Sequence, residues 1–271
     1  MSTWNQIDTA WAVPFVVGES STPNPKVYFF SGDEYARYDV ASDEVEFVRP
    51  ISGHWDVLSS GVTGGMVWPN QGGNPDHAYF FSGMNYCKYD LVGDRVYPGY
   101  ENGMPVAGNW PGVITDSESV ESFVASGAFV ASNQAFLFSY GWPEGVGSEE
   151  MLGFQQVSLA DHSAQGPLSI FAHPWLDNPV PPGWLPGNQM INAVAAWPTS
   201  TSPASWWPTN VAYFFNGLYY SKINIETWEP VEAAPRLISE GWHGLPMAAP
   251  VTTPGPIGQP SPPSGPPTPV H

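Results

Sequence analysis

Val27-Tyr28-Phe29-Phe30-Ser31-Gly32-Asp33-Glu34-Tyr35-Ala36-Arg37-Tyr38-Asp39 decides the fold. An aromatic, β-prone run meets Ser-Gly, and a second aromatic run closes on an acid, which is the pattern of a short β-hairpin. The pattern returns at Ala78-Tyr79-Phe80-Phe81-Ser82-Gly83, with Tyr86, Tyr89 and Asp90 behind it. It returns again at Ala212-Tyr213-Phe214-Phe215-Asn216-Gly217, followed by Tyr220, Ile223 and Asn224. A degraded copy, Ala135-Phe136-Leu137-Phe138-Ser139-Tyr140-Gly141, lies between the second and the last, so the chain is a four-fold repeat.

Working outward, a short strand of small residues precedes each hairpin: Asp8-Thr9-Ala10-Trp11, Thr63-Gly64-Gly65-Met66, Ser126-Gly127-Ala128-Phe129 and Asn192-Ala193-Val194-Ala195. A closing segment follows each hairpin, with one apolar residue four places before a Trp: Ile51 to Trp55, Val106 to Trp110, Phe171 to Trp175, Ile238 to Trp242. The strand starts are 55, 63 and 66 residues apart and the closing Trp residues 55, 65 and 67. Two landmarks with one period define the unit. Repeats of short strands with small residues on the first suggest propeller blades, the first strand innermost where the backbones converge. The closing Trp residues are expected to wedge between neighbouring blades. Cys87 aligns with Ala36 and Ser221, which predicts a buried small residue and not a nucleophile.

Composition sets the limits. The 271 residues carry 7 Lys+Arg against 25 Asp+Glu, a net charge of -18, which repels phosphate backbones and excludes nucleic acid as a partner. No apolar run reaches the roughly 18 residues of a membrane span. The start, Met1-Ser2-Thr3-Trp4-Asn5, lacks the basic and apolar regions of a signal peptide, and a single cysteine fits a reducing compartment. The expectation is a cytoplasmic chain without membrane contact. With 28 Gly and 31 Pro punctuating nearly every segment, the class expected is all-β.

These motifs resemble the hemopexin-like repeat family. The resemblance rests on Ile7-Asp8-Thr9-Ala10-Trp11, on the three full hairpins, and on Ile238-Ser239-Glu240-Gly241-Trp242-His243-Gly244-Leu245-Pro246. It covers roughly residues 4–248 and implies a four-bladed β-propeller with an axial tunnel, with blades at approximately 4–61, 62–119, 120–187 and 188–248. Residues 249–271, rich in Pro, Gly, Ser and Thr, read as a flexible tail. Extracellular relatives tie the first blade to the last with a disulfide, which one cysteine cannot form, so closure by packing alone is expected. The third repeat interrupts its hairpin with residues 142–148, marking it as the site of specialisation.

Two constellations are candidates for binding. Asp8, Thr63, Ser126 and Asn192 hold equivalent first-strand positions and are expected to ring one tunnel mouth, where the family holds axial ions and a Ca²⁺ or Na⁺ would fit. The alternative is that each polar residue caps its own strand. The second constellation is aromatic: Trp11, Phe15, Trp68, Trp142, Trp184, Trp197, Trp206 and Trp207 are expected to wall a basin for an apolar, sugar or ammonium ligand, against the alternative of loop packing. His54, His77, His162, His173, His243 and His271 have no metal-ligand spacing, and three of them sit beside closing Trp residues, which suggests structural roles. Heme is disfavoured because the acidic field opposes its propionates.

No catalytic motif is visible, and Asp33-Glu34 and Glu149-Glu150 read as solvated pairs. The leading expectation is a non-catalytic propeller holding a small molecule or cation, with no required cofactor. The alternatives are a cofactor-free cyclisation or cycloaddition catalyst using the aromatic basin, and a lectin or protein-interaction module. The sequence sets no oligomeric state.

Overall fold

The computed structural model describes residues 3–19, 23–55, 61–69, 75–113, 124–131, 134–141, 151–165, 169–170, 191–198, 208–227 and 229–250. These form four antiparallel sheets. The first joins β1 (Thr9–Val13), β2 (Lys26–Ser31), β3 (Glu34–Asp39) and β4 (Glu44–Pro50) in chain order. The second holds β5 (Gly64–Pro69), β6 (Pro75–Ser82), β7 (Asn85–Asp90) and β8 (Arg95–Val96), with β9 (Met104–Pro105) also on β7. The third runs β10 (Val124–Ala131), β11 (Gln134–Gly141), β12 (Met151–Ser158) and β13 (Ser169–Ile170). The fourth holds β14 (Ala193–Pro198), β15 (Pro208–Asn216), β16 (Tyr219–Asn224) and β17 (Glu229–Pro230), with β18 (Arg236–Leu237) also on β16. One helical turn, α1 (Ile238–Gly241), is the only α-helix among the described residues.

The repeated sequence becomes repeated register. Phe29 faces Ala36, Phe80 faces Cys87 and Phe214 faces Ser221 across the same rung of their sheets. Cys87 is accordingly buried, and burial pushes its thiol up to about 12, out of nucleophilic range. In sheets one, two and four the residue closing the third strand makes a turn of its own side chain. Asp39, Asp90 and Asn224 each accept two backbone N–H groups from residues two and three places on.

The spacing of four before three of the closing Trp residues is one helical turn; the fourth, Trp175, lies outside the described residues. The backbone N–H groups of Trp55, Trp110 and Trp242 bond to the carbonyls of Ile51, Val106 and Ile238 at 2.8, 3.0 and 2.8 Å. Both ends of that turn are buried, and each Trp fills a seam between sheets. Trp55 packs with residues of the first and second sheets, Trp110 with the second and third, Trp242 with the fourth and first.

The first strands pack side by side as a circuit: β1 lies against β5 and β14, and β10 against the same two. Such approach demands small residues. A Cβ on Gly65 would stand 3.3 Å from Thr9 Oγ1 and 3.3 Å from the Trp11 ring.

Packing is not all that joins the first repeat to the last, as the sequence had suggested. Trp4 pairs in parallel with Met247, donating its N–H to Pro246 at 2.7 Å and accepting from Ala248 at 2.8 Å. Its indole N–H donates to Glu34 at 2.9 Å, and His243 pairs with Asp43 at 3.2 Å. Both segments pack on the buried seam around Trp242, Trp4 within it and Met247 against it.

Candidate functional site

Three of the four first-strand positions are built alike. The backbone N–H groups of Asp8, Thr63 and Asn192 donate to Phe30, Phe81 and Phe215 at 2.8, 2.9 and 2.8 Å. All three residues are half-buried at the same end of their sheets. Their side chains, however, are engaged locally. Asp8 Oδ2 accepts the Gly32 N–H at 2.7 Å and Asn192 Oδ1 accepts the Gly217 N–H at 2.8 Å. Gly32 and Gly217 have φ of +59° and +51°, so each polar side chain clasps a left-handed glycine in the hairpin turn beside it. Thr63 Oγ1 leans on the Phe81 carbonyl at 3.3 Å. Ser126 departs from the set: the β10–β11 register steps from Ala125 to Gly127, leaving Ser126 as the extra residue of a β-bulge. Next to Asp8, the Thr9 hydroxyl is fully buried without a partner among the described residues.

The aromatic candidates are placed differently. Trp11, Phe15 and Trp68 are buried in the seams, Trp11 stacking on Tyr28 at 4.7 Å and Trp68 meeting Trp110 edge-on at 5.7 Å. Register also separates the two constellations. Thr63 precedes β5 and Trp68 lies near its other end, about 17 Å along a strand rising ~3.3 Å per residue. The structure therefore does not bring the polar ring and Trp68 together at one end. Trp142, Trp184, Trp206 and Trp207 lie outside the described residues, as does the side chain of Trp197.

Two charged clusters escaped the sequence reading. Lys26, fully buried, pairs with Asp39 and with Glu46 at 2.9 Å, and Glu46 also pairs with Arg37. Although burial opposes ionisation of Asp39, the Lys26 ammonium and the Ser42 N–H outweigh it and hold the carboxyl down at about 2. The second cluster lies on the face of sheet two turned to sheet three. His77 Nδ1 contacts Asp76 Oδ1 at 2.5 Å, and Tyr79 Oη contacts His162 Nε2 at 3.1 Å. The His162 ring stacks on Trp110 at 4.8 Å and stands edge-on to Trp68 at 4.9 Å. Burial, with Lys88 nearby, lowers both imidazoles, His77 to about 4. Repeat alignment held the signal for both clusters, since Lys26 and His77 occupy one rung and Arg37 and Lys88 the next but one, on the same face.

Of the other histidines, His54 meets the Tyr35 ring at 5.8 Å and His243 reaches Asp43, as corner residues should. His173 and His271 lie outside the described residues. Among the described residues no group of three His, Cys, Asp or Glu side chains is placed to hold a metal, and no helix is long and apolar enough to cross a membrane.

The fold and its repeated hairpins define an all-β protein of four antiparallel sheets. The hemopexin family model matches residues 22–60. Solved structures agree on the fold. A hemopexin-fold protein from cow pea is 19% identical, aligned over 89% of this chain and 96% of its own with a TM-score of 0.59. A plant lectin with two metal binding sites from Cicer arietinum is 16% identical over 87% and 95%, with a TM-score of 0.58. A plant albumin from Cicer arietinum showing hemagglutination is also 16% identical over 87% and 95%, with a TM-score of 0.57. A comparison with curated protein sequences finds no match.

Proposed function

We propose that residues 4–248 form a four-bladed propeller, one sheet per blade, that acts as a non-catalytic binding module and holds a small cationic ligand at one mouth of its axial tunnel. The observation that carries this reading is the common geometry of Asp8, Thr63 and Asn192, half-buried at one end of first strands that pack in a circuit. Because the Asp8 and Asn192 side chains clasp their turns, the donors there are main-chain carbonyls, with the Asp8 charge close behind. Such a set suits a hard cation, Ca²⁺ or Na⁺, or a small ammonium group. Asp33 and Glu34 in the adjoining turn and the net charge of -18 add attraction of the right sign. Burial of Trp11, Phe15 and Trp68 argues for a cation over an apolar ligand, and against a cofactor-free catalyst built on those rings.

A lectin-like or protein-interaction module is the second reading. It is favoured by the two fold neighbours described as a lectin and as an albumin showing hemagglutination. One pair of assays separates the two. Native mass spectrometry and thermal melts with Ca²⁺, Na⁺ or chelator should show one cation bound per chain and a midpoint that rises with it. No bound cation, no shift, and agglutination of red cells by the protein would move the assignment to the second reading.

A further inference from the structure

The repeat sets a rule that sheet two breaks. In each described full hairpin a tyrosine that faces an inter-sheet seam stands opposite a cation: Tyr28 opposite Arg37, Tyr79 opposite Lys88, Tyr213 opposite Lys222. In sheets one and four a carboxylate from the fourth-strand segment neutralises that cation, Glu46 on Arg37 and Glu232 on Lys222 at 2.7 Å. In sheet two the segment after Val96 brings Tyr97, whose N–H bonds to the Lys88 carbonyl at 3.0 Å. Lys88 Nζ lies 4.6 Å from the Tyr97 ring centre and 5.9 Å from that of Tyr79. Among the described residues no carboxylate reaches ion-pair distance of it.

The side chains around Lys88 add two imidazoles; because His77 Nδ1 is engaged with Asp76, its Nε2 donates only when the ring is protonated. His77 stands edge-on to Tyr79 at 5.3 Å and to Tyr97 at 6.1 Å, is 7% exposed, and its Nε2 is buried with no partner among the described residues. His162 closes the other side, 5.3 Å from the Tyr79 ring. Lys88, Tyr97 and His162 are half-buried, so the cluster has an open side. Because His77 pairs with Asp90 and lies opposite Trp68, the cluster is at the end of the sheet remote from Thr63 and independent of the tunnel-mouth site.

We propose that Lys88, His77 and His162 form a binding site for a small organic carboxylate, which takes the place that Glu46 and Glu232 fill in the other sheets. The carboxylate pairs with the Lys88 ammonium and accepts from the imidazoles once they are protonated. A charge-assisted contact of this kind is stronger than a neutral one. The overall negative field opposes the ligand, but it is screened beyond about 8 Å at physiological salt, whereas the three donors act at contact. Asp76, Asp90 and Asp161 are the acids that border the cluster, and Tyr79, Tyr86, Tyr97, Tyr100 and Arg95 are further titratable groups around it. Asp76 is already engaged with His77 Nδ1. A bound carboxylate favours the protonated imidazoles, so binding takes up protons and tightens as pH falls.

The test is a titration of the full chain with sodium benzoate, sodium acetate and inorganic phosphate at constant ionic strength, followed by the histidine ring resonances. His77 and His162 are assigned from His77→Gln and His162→Gln. The expected result is saturable movement of those two histidines with benzoate and acetate, with affinity higher at pH 5.5 than at pH 7.5 but by less than the roughly tenfold ceiling that a one-unit rise in one imidazole pKa sets. Lys88→Met should abolish it, while Lys222→Met, which alters a cation already neutralised, should not. Absence of saturation in the wild-type chain, equal binding by a folded Lys88→Met, or saturation by phosphate without either carboxylate would overturn the proposal. If Lys88→Met does not fold, the wild-type titration decides alone.

Discussion

Replacing Trp242 by Ala removes the wedge between the fourth sheet and the first. The ring is 2% exposed and lies 4.9 Å from Phe29, 5.2 Å from Tyr38, 5.1 Å from Tyr213 and 5.9 Å from Phe215, two partners from each sheet. A buried indole of about 200 Å² at about 25 cal/mol per Å² stabilises by an upper figure of about 5 kcal/mol. Buried Trp-to-Ala changes cost about 3–5 kcal/mol once the cavity is included. In a domain of this size each kcal/mol moves the thermal midpoint by about 2–4 °C, so the variant should melt about 6–20 °C early. The assay is thermal and urea unfolding beside Val231→Ala, whose side chain belongs to a residue 53% exposed and should matter by under ~0.5 kcal/mol. Hydrogen exchange of the Ala248 N–H, bonded to Trp4, should accelerate in the Trp242 variant. A Trp242→Ala chain that melts with the Val231 control would refute the wedge.

Three further outcomes follow from the same packing. Gly241→Ala would place a Cβ 2.1 Å from Tyr220 Oη, and because Tyr220 is buried the clash should cost about 1–3 kcal/mol in a urea melt; an unchanged midpoint would mean the seam is loose. Asp39→Ala leaves the buried Lys26 ammonium short of a partner and unclasps the Ala41 and Ser42 N–H groups, at about 3–5 kcal/mol, whereas Lys26→Met should cost less by denaturant unfolding. On acidification the fold should weaken at the seam of sheets two and three. The folded pKa of His77 is depressed, so its contribution is intact above about 6.5, the unfolded value, and is lost as pH falls toward about 4. Stability measured across that range should fall less steeply in His77→Gln, and parallel curves would contradict the assignment.

Much of this architecture is legible in the chain because the repeat converts one-dimensional alignment into three-dimensional rungs. The burial of Cys87 follows from its alignment with Ala36 and Ser221, and the closing helical turn from four-residue spacing before Trp. What could not be read was direction and depth. A Trp beside a Pro, as Trp68 is, does not reveal that its ring turns into the seam beside His162. Nor does an Asp or Asn before a first strand show that its carboxylate or amide clasps a glycine 24 or 25 residues on. A lysine that is wholly buried, as Lys26 is, runs against ordinary preference and is visible only once Asp39 and Glu46 are seen around it. The bulge at Ser126 and the Trp4–Met247 pairing are matters of register that composition does not carry.

The central claim is that four sheets surround one axis whose polar mouth holds a cation. Crystallographic density from the as-purified protein, with anomalous data after a calcium soak, addresses it most directly. The account predicts Asp8, Thr63, Ser126 and Asn192 at one end of four first strands, with a cation on the axis among their main-chain oxygens. First strands that diverge, or a convergent ring that takes no cation in the soak, would contradict it.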